Sequence, residues 1–220
     1  MLRLPIFVVA LMSMLVASAG VRAEIILFTA NLTNSQENPP TTPTLVGGTP
    51  RPASFGTANF VLNDAHTALS FTATIFNIDL TGTQTADIND NLVNAHIHAS
   101  SSVTPSTNAP VVWGFFGAPF NDNNPNDALV IPFATEVGGI FSGKWDLPEG
   151  NGTTLTEQLS NILSDHSYIN FHTAQFPGGE IRGAILALPE PSSLALLAVA
   201  ALALFGFGIR RGPAWKAERL

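Results

Sequence analysis

Cysteine is absent from all 220 residues, so no disulfide can form, and tyrosine occurs once. A domain without disulfides must rest on its core or on bound ions. Basic residues are scarce too. Between residues 24 and 188 they are Arg51, Lys144 and Arg182, three against fourteen Asp and Glu, a formal charge of minus eleven. That balance argues against nucleic acid and anionic lipid as partners. Hydrolase signatures are missing as well: there is no G-x-S-x-G and no H-E-x-x-H. Asp165 and His166 are adjacent in sequence, which is poor geometry for a dyad. Paired carboxylates converging in space stay open as an alternative.

The ends of the chain account for part of its apolar character. Met1 and Arg3 precede an apolar run from Ile6 to Val16, and Val21-Arg22-Ala23 follows. A basic start, a short apolar core and a small residue predict a secretory signal peptide over residues 1–23, cut after Ala23. An uncleaved anchor is the alternative. At the other end Pro189-Glu190-Pro191 leads into an uncharged run, about residues 194–209, and then Arg210 and Arg211. Its length is marginal for a membrane helix, and the trailing Arg and Lys would stay cytoplasmic. The order of P-E-P, apolar helix and Arg-rich tip resembles the PEP-CTERM sorting signal. That resemblance implies processing by an exosortase, transient residence in the inner membrane, and delivery to the envelope or the extracellular matrix. An ordinary C-terminal anchor is the alternative.

Residues 24–188 then make one domain. Phe28, Ala30 and Leu32 alternate with Thr29 and Asn31, and the same pattern holds for Ala58-Phe60-Leu62 and Leu69-Phe71-Ala73-Ile75. Further strand signals lie at Ala95 and Ile97, Val111 to Phe116, Glu136 to Trp145, Tyr168 to Phe176 and Ile181 to Leu188. Period two with one apolar face predicts antiparallel strands covering a core. The expected fold is mostly β, a Greek-key sandwich or barrel with one short helix, apart from the separate C-terminal apolar helix. The helix is predicted where Leu155, Leu159, Ile162 and Leu163 share a face and Thr154 with Glu157 forms a capping box. Residues 36 to 54, rich in Pro, Thr and Gly, are expected to be an exposed loop. The Asp87–Asn91 and Asn121–Asp127 stretches read as solvated turns, because neither follows the order of an EF-hand.

Four stretches carry a family resemblance: "ANLTNSQENPP", "GTANFVLN", "AHIHAS" and "YINFHTAQFPGGEIRGAI". In this order they resemble the CHRD domain, found in the animal protein chordin and in exported bacterial proteins. The resemblance covers nearly all of residues 28 to 186. It implies an immunoglobulin-like or related Greek-key barrel and supplies no activity. The chain departs from the family after A-H-I-H, where Ala99-Ser100-Ser101-Ser102 replaces a Gly-Pro-Ala-like turn. In the closing motif Pro177-Gly178-Gly179 predicts a hairpin turn. Glu180 and Arg182 share a strand face. They are expected to pair with each other, or with a carboxylate or carbonyl across the sheet.

Residues two apart in a strand lie about 6.5 to 7 Å apart on one face, so His96 and His98 can both reach one ion. Tyr168, Asn170 and His172 share a face by the same rule. If the two strands are neighbours, His172 supplies a third nitrogen. Three neutral imidazoles suit zinc or copper. An H-x-H strand pair with a distant third histidine is similar to the arrangement in copper–zinc superoxide dismutases, although spacings and most of the chain do not match. The alternative is structural: the imidazoles bond backbone carbonyls and fix a strand edge. His66 and His166 read as surface turn residues. The leading expectation is thus an exported, non-enzymatic binding or structural module whose partner is an extracellular protein or an exopolysaccharide. The second is a metal-dependent redox protein using His96, His98 and His172.

Overall fold

The computed structural model describes residues 25–189 and Leu202. The signal-peptide reading with Ala23, the helix expected at about 194–209 apart from Leu202, and Glu190, Pro191, Arg210 and Arg211 lie outside those residues. Among the described residues no helix is long and apolar enough to cross a membrane.

The strands are β1 (Ile26–Thr33), β2 (Phe55–Leu62), β3 (Ala68–Phe76), β4 (Leu92–Ala99) and β5 (Val111–Phe116). After them come β6 (Leu129–Pro132), β7 (Gly138–Asp146), β8 (Ser167–Thr173), β9 (Ile181–Ala184) and β10 (Leu186–Ala187). An α-helix, α1 (Leu155–Leu163), separates β7 from β8. All pairings of these strands are antiparallel and belong to one sheet ordered β5-β4-β8-β9-β1-β2-β3-β7-β6, with β10 beside β1. The mostly β expectation holds, and it takes the form of a single sheet curled into a half-barrel.

Alternation dictates the curl's inside. Along β2 every second residue is buried, so Ala58, Phe60 and Leu62 face the core while Thr57, Asn59 and Val61 face out. The two ends of the sheet approach through side chains. Trp113 of β5 stacks on Trp145 of β7 at 5.8 Å, and Phe115 meets Phe141 at 5.9 Å. Such aromatic pairs add about 0.5–1.5 kcal/mol beyond the area they bury. Glu149 closes this seam. Its carboxylate accepts from Trp113 Nε1, Asp146 N, Asn123 N and Asn124 N, and its carbonyl accepts from Trp145 Nε1. Helix α1 starts at the expected capping box, with Thr154 and Glu157 bonding each other's backbone N–H, and it buries Leu155 and Ile162. A reciprocal cap of this kind stabilises a short helix by about 1 kcal/mol.

β8 is buried along its whole length. One face, with Ile169 and Phe171, joins the core. The other, with Tyr168, Asn170 and His172, lies under loops, and that buried outer face is where the candidate site forms.

The expected solvated turns are corrected here. Asp90 and Asp122 are buried, at 5% and 0% exposure. Asp122 accepts from Asp127 N and Ala128 N, and Asp90 accepts from Thr85 Oγ1. Buried Asp79 accepts from the N–H groups of Thr81, Gly82, Gln84 and Thr85. Burial would raise its pKa; the backbone donors outweigh that and hold it below the usual carboxylate value. These carboxylates serve as loop scaffolds. The 36–54 loop is exposed over residues 45–50 as expected, but Glu37 and Ser54 are buried in it, and so is the Arg51 side chain.

Candidate metal centre

β4 and β8 are neighbours in register, with His96 opposite Asn170, His98 opposite Tyr168 and Asn94 opposite His172. The three expected histidines therefore come together. Ring centroids are 4.9 Å apart for His96 and His172, 5.7 Å for His96 and His98, and 5.9 Å for His98 and His172. All three are buried, at 3%, 7% and 6% exposure for His96, His98 and His172. One ring nitrogen from each lies within 4.8 Å of the others.

Each imidazole is tethered outward to a backbone carbonyl. His96 Nε2 is 3.0 Å from Ala118 O, His98 Nδ1 is 2.9 Å from Ala109 O and His172 Nδ1 is 3.0 Å from Pro177 O. A carbonyl only accepts, so each of those nitrogens carries the proton. The remaining nitrogens, His96 Nδ1, His98 Nε2 and His172 Nε2, are then lone pairs. Two of them, His96 Nδ1 and His172 Nε2, face each other at 3.2 Å. His98 Nε2 is buried with no hydrogen-bond partner among the described residues. Protonation is a poor remedy for this crowd of acceptors. Burial first, then the neighbouring His172 and His98, press the His96 pKa down to about 3. Burial likewise presses His98 to about 4 and lowers His172. Three neutral imidazoles with their second nitrogens on carbonyls are the donor set zinc and copper take, the outer bond fixing tautomer and ring orientation.

The other motif residues form the roof and walls. His98 stacks on Tyr168 at 4.7 Å with planes 4° apart, and the Arg182 guanidinium lies over the same Tyr168 ring at 4.7 Å. Glu180 and Arg182 do not pair with each other. Glu180 pairs with Arg51 at 2.5 Å, and Arg182 bonds the carbonyls of Gln36, Pro105 and Thr107 together with Asn108 Oδ1. The Pro177-Gly178-Gly179 turn joins β8 to β9 as expected, with Gly179 N donating to Phe176 O. Gly179 sits at φ +126°, and a Cβ there would fall 2.6–2.7 Å from the Asn170 carboxamide and from Glu37 Oε1. Only glycine fits.

Sequence reasoning did not find Glu37 as a member of this wall. It is buried, and Oε1 lacks a partner among the described residues. Burial pushes its carboxyl up to about 7, against the pull of Arg182. A carboxyl that titrates near 7 when folded and near 4.5 when unfolded stabilises the fold least above pH 7. At 1.36 kcal/mol per unit, the cost above that pH is about 3 kcal/mol. Glu37→Gln is therefore expected to gain stability at pH 8 relative to the parent and little at pH 4.5. Urea denaturation at the two pH values checks this; equal shifts at both would rule it out.

These motifs, Q-E-N-P-P over the roof, H-I-H on β4 and Y-I-N-F-H-T with P-G-G-E-I-R-G along β8 and β9, are drawn from the whole domain and meet at one place. The CHRD domain model matches residues 28–185. The chain belongs to the CHRD family. No curated protein and no solved structure matches it. The loop after His98 supplies the carbonyls of Pro105 and Thr107 that hold Arg182 and the carbonyl of Ala109 that holds His98.

Proposed function

We propose that this CHRD domain is an exported binding module that holds one zinc or copper ion on His96, His98 and His172 and acts without turnover. The observation that carries the reading is the set of three buried imidazoles whose outer N–H groups are spent on Ala118, Ala109 and Pro177, leaving each with one lone pair, in a cluster where one ring nitrogen of each lies within 4.8 Å of the others. A cation relieves the His96 Nδ1–His172 Nε2 opposition at 3.2 Å and satisfies His98 Nε2. Exposure of 7% or less for each ligand favours a closed site that stabilises or carries an ion over one that admits a substrate. Export rests on the basic and apolar start ending at Ala23 and on the P-E-P, apolar run and Arg tip at the other end. Exosortase processing and passage through the inner membrane follow from that reading. So does an extracellular protein or exopolysaccharide as partner.

The test is a metal titration of the full chain in detergent after removal of bound ions with a chelator. Zn²⁺ or Cu²⁺ is expected to bind one per chain, and His96→Ala/His98→Ala is expected to lose it. Unchanged binding in that variant removes the centre. Turnover of superoxide or peroxide by a copper-loaded sample would shift the reading to a redox protein.

A further inference from the structure

Three imidazoles give an ion three ligands, and a closed zinc site takes a fourth. The register of β4 against β5 and β8 limits what can supply it. His96 faces Asn170 on β8 and, on β5, Gly114, which has no side chain. His98 faces Tyr168 and Val111, and His172 faces Asn94. Three side-chain oxygens therefore stand opposite the histidines. Asn94 Oδ1 accepts from Ala118 N at 2.7 Å, and the Tyr168 hydroxyl accepts from Ala109 N at 3.2 Å. Asn170 is 2% exposed, and its Oδ1 is buried with no partner among the described residues.

The neighbouring donors are turned elsewhere. All three imidazole N–H groups go outward to carbonyls. Arg182, the partner of Asn170 on β9, gives its guanidinium to the carbonyls of Gln36, Pro105 and Thr107 and to Asn108 Oδ1. A buried acceptor without a donor carries a desolvation cost that a cation removes. The reach is right as well. Cross-strand partners hold their Cβ atoms about 4.5–5.5 Å apart. Asn170 Oδ1 and His96 Nδ1 stand equally far beyond Cβ on one face, so an ion about 2.0–2.2 Å from each fits between them.

We propose that Asn170 Oδ1 is the fourth ligand of the centre, closing a set of three imidazoles and one carboxamide. The inference rests on the metal reading above. It adds the residue that fills the position an exchangeable water or a substrate would otherwise take, which accords with a site that holds an ion without turnover.

Cobalt titration of the chelator-treated full chain in detergent tests it, because the visible absorption of Co²⁺ reports the number and kind of its ligands. Asn170→Leu is expected to weaken Co²⁺ and Zn²⁺ binding by about tenfold or more and to change the Co²⁺ band. Its metal-free thermal midpoint should stay within a few degrees of the parent's, since the acceptor it removes is unpaired. Asn170→Asp keeps the oxygen and is expected to bind at least as tightly as the parent with a similar band. The proposal is overturned if Asn170→Leu keeps the parent's band, whether or not its midpoint falls, or if folded Asn170→Asp binds no ion. Should Asn170→Leu fail to fold, Asn170→Asp decides. A parent that binds no ion overturns the metal reading and this ligand together. If the parent binds and His96→Ala/His98→Ala loses the ion while Asn170→Leu matches the parent, this ligand alone is overturned.

Discussion

Glu180→Ala is expected to destabilise the domain by about 3–5 kcal/mol, because it strands a buried guanidinium. Glu180 is fully buried, and its carboxylate takes the Arg51 Nη2 at 2.5 Å, Thr173 Oγ1 at 2.6 Å and Ser54 Oγ. Arg51, with its side chain 4% exposed, makes no other ion pair among the described residues; its Nη1 turns to Asn77 O and Ser54 Oγ. Removing the anion leaves a cation in a low-dielectric site with little water to take it up. The loss is concentrated where three segments meet: the 36–54 loop, the end of β8 and the start of β9. Arg51→Met/Glu180→Leu, which removes both charges, is expected to recover most of the loss, since burying a paired charge already carries a desolvation cost. A double-mutant cycle by urea denaturation measures the coupling. A loss below about 1 kcal/mol for Glu180→Ala, the range of an exposed pair, would show that Arg51 reaches solvent.

The sequence shows the parts that repeat and hides the parts that cross the chain. β1, β2 and β3 were legible because Phe28, Phe60 and Phe71 each recur in period two against threonine and asparagine. α1 was legible through Thr154 and Glu157. β6 was not: Leu129–Pro132 is an exposed edge strand of four residues with little alternation and a proline at its end. The pairings β3 with β7 and β4 with β8 join segments far apart in sequence, so the single curled sheet could not be told from two packed sheets. The three-histidine set was legible only on the condition that those two β strands are neighbours. The tethers on Ala109, Ala118 and Pro177 were not legible at all, since any residue offers a carbonyl. Composition misled in the Asp/Asn loops, where Asp90 and Asp122 look like solvent-exposed acids but are buried acceptors for backbone N–H or hydroxyl donors. Glu180 and Arg182 shared a face as expected, yet each found its partner outside the strand.

Loading the histidine centre is expected to raise the thermal midpoint by about 5–15 °C. An ion that binds only the folded state adds about 2.7 kcal/mol at a hundred times its dissociation constant and about 4.1 at a thousand times. For a domain of this size each kcal/mol moves the midpoint by about 2–4 °C. His98→Ala separates this from a purely structural role. If the imidazoles serve only to bond carbonyls, the variant loses the His98 Nδ1–Ala109 bond and the stack on Tyr168, and Zn²⁺ changes neither protein. If they hold an ion, the metal-free midpoints of parent and variant differ modestly and only the parent responds to Zn²⁺. His172→Ala carries the same logic further, because it removes the lone pair facing His96 Nδ1 at 3.2 Å. With that opposition gone the metal-free variant loses less than a buried hydrogen-bonded side chain would normally cost, while its response to Zn²⁺ falls with the ligand. An equal rise in parent and both variants would place the ion elsewhere on the chain.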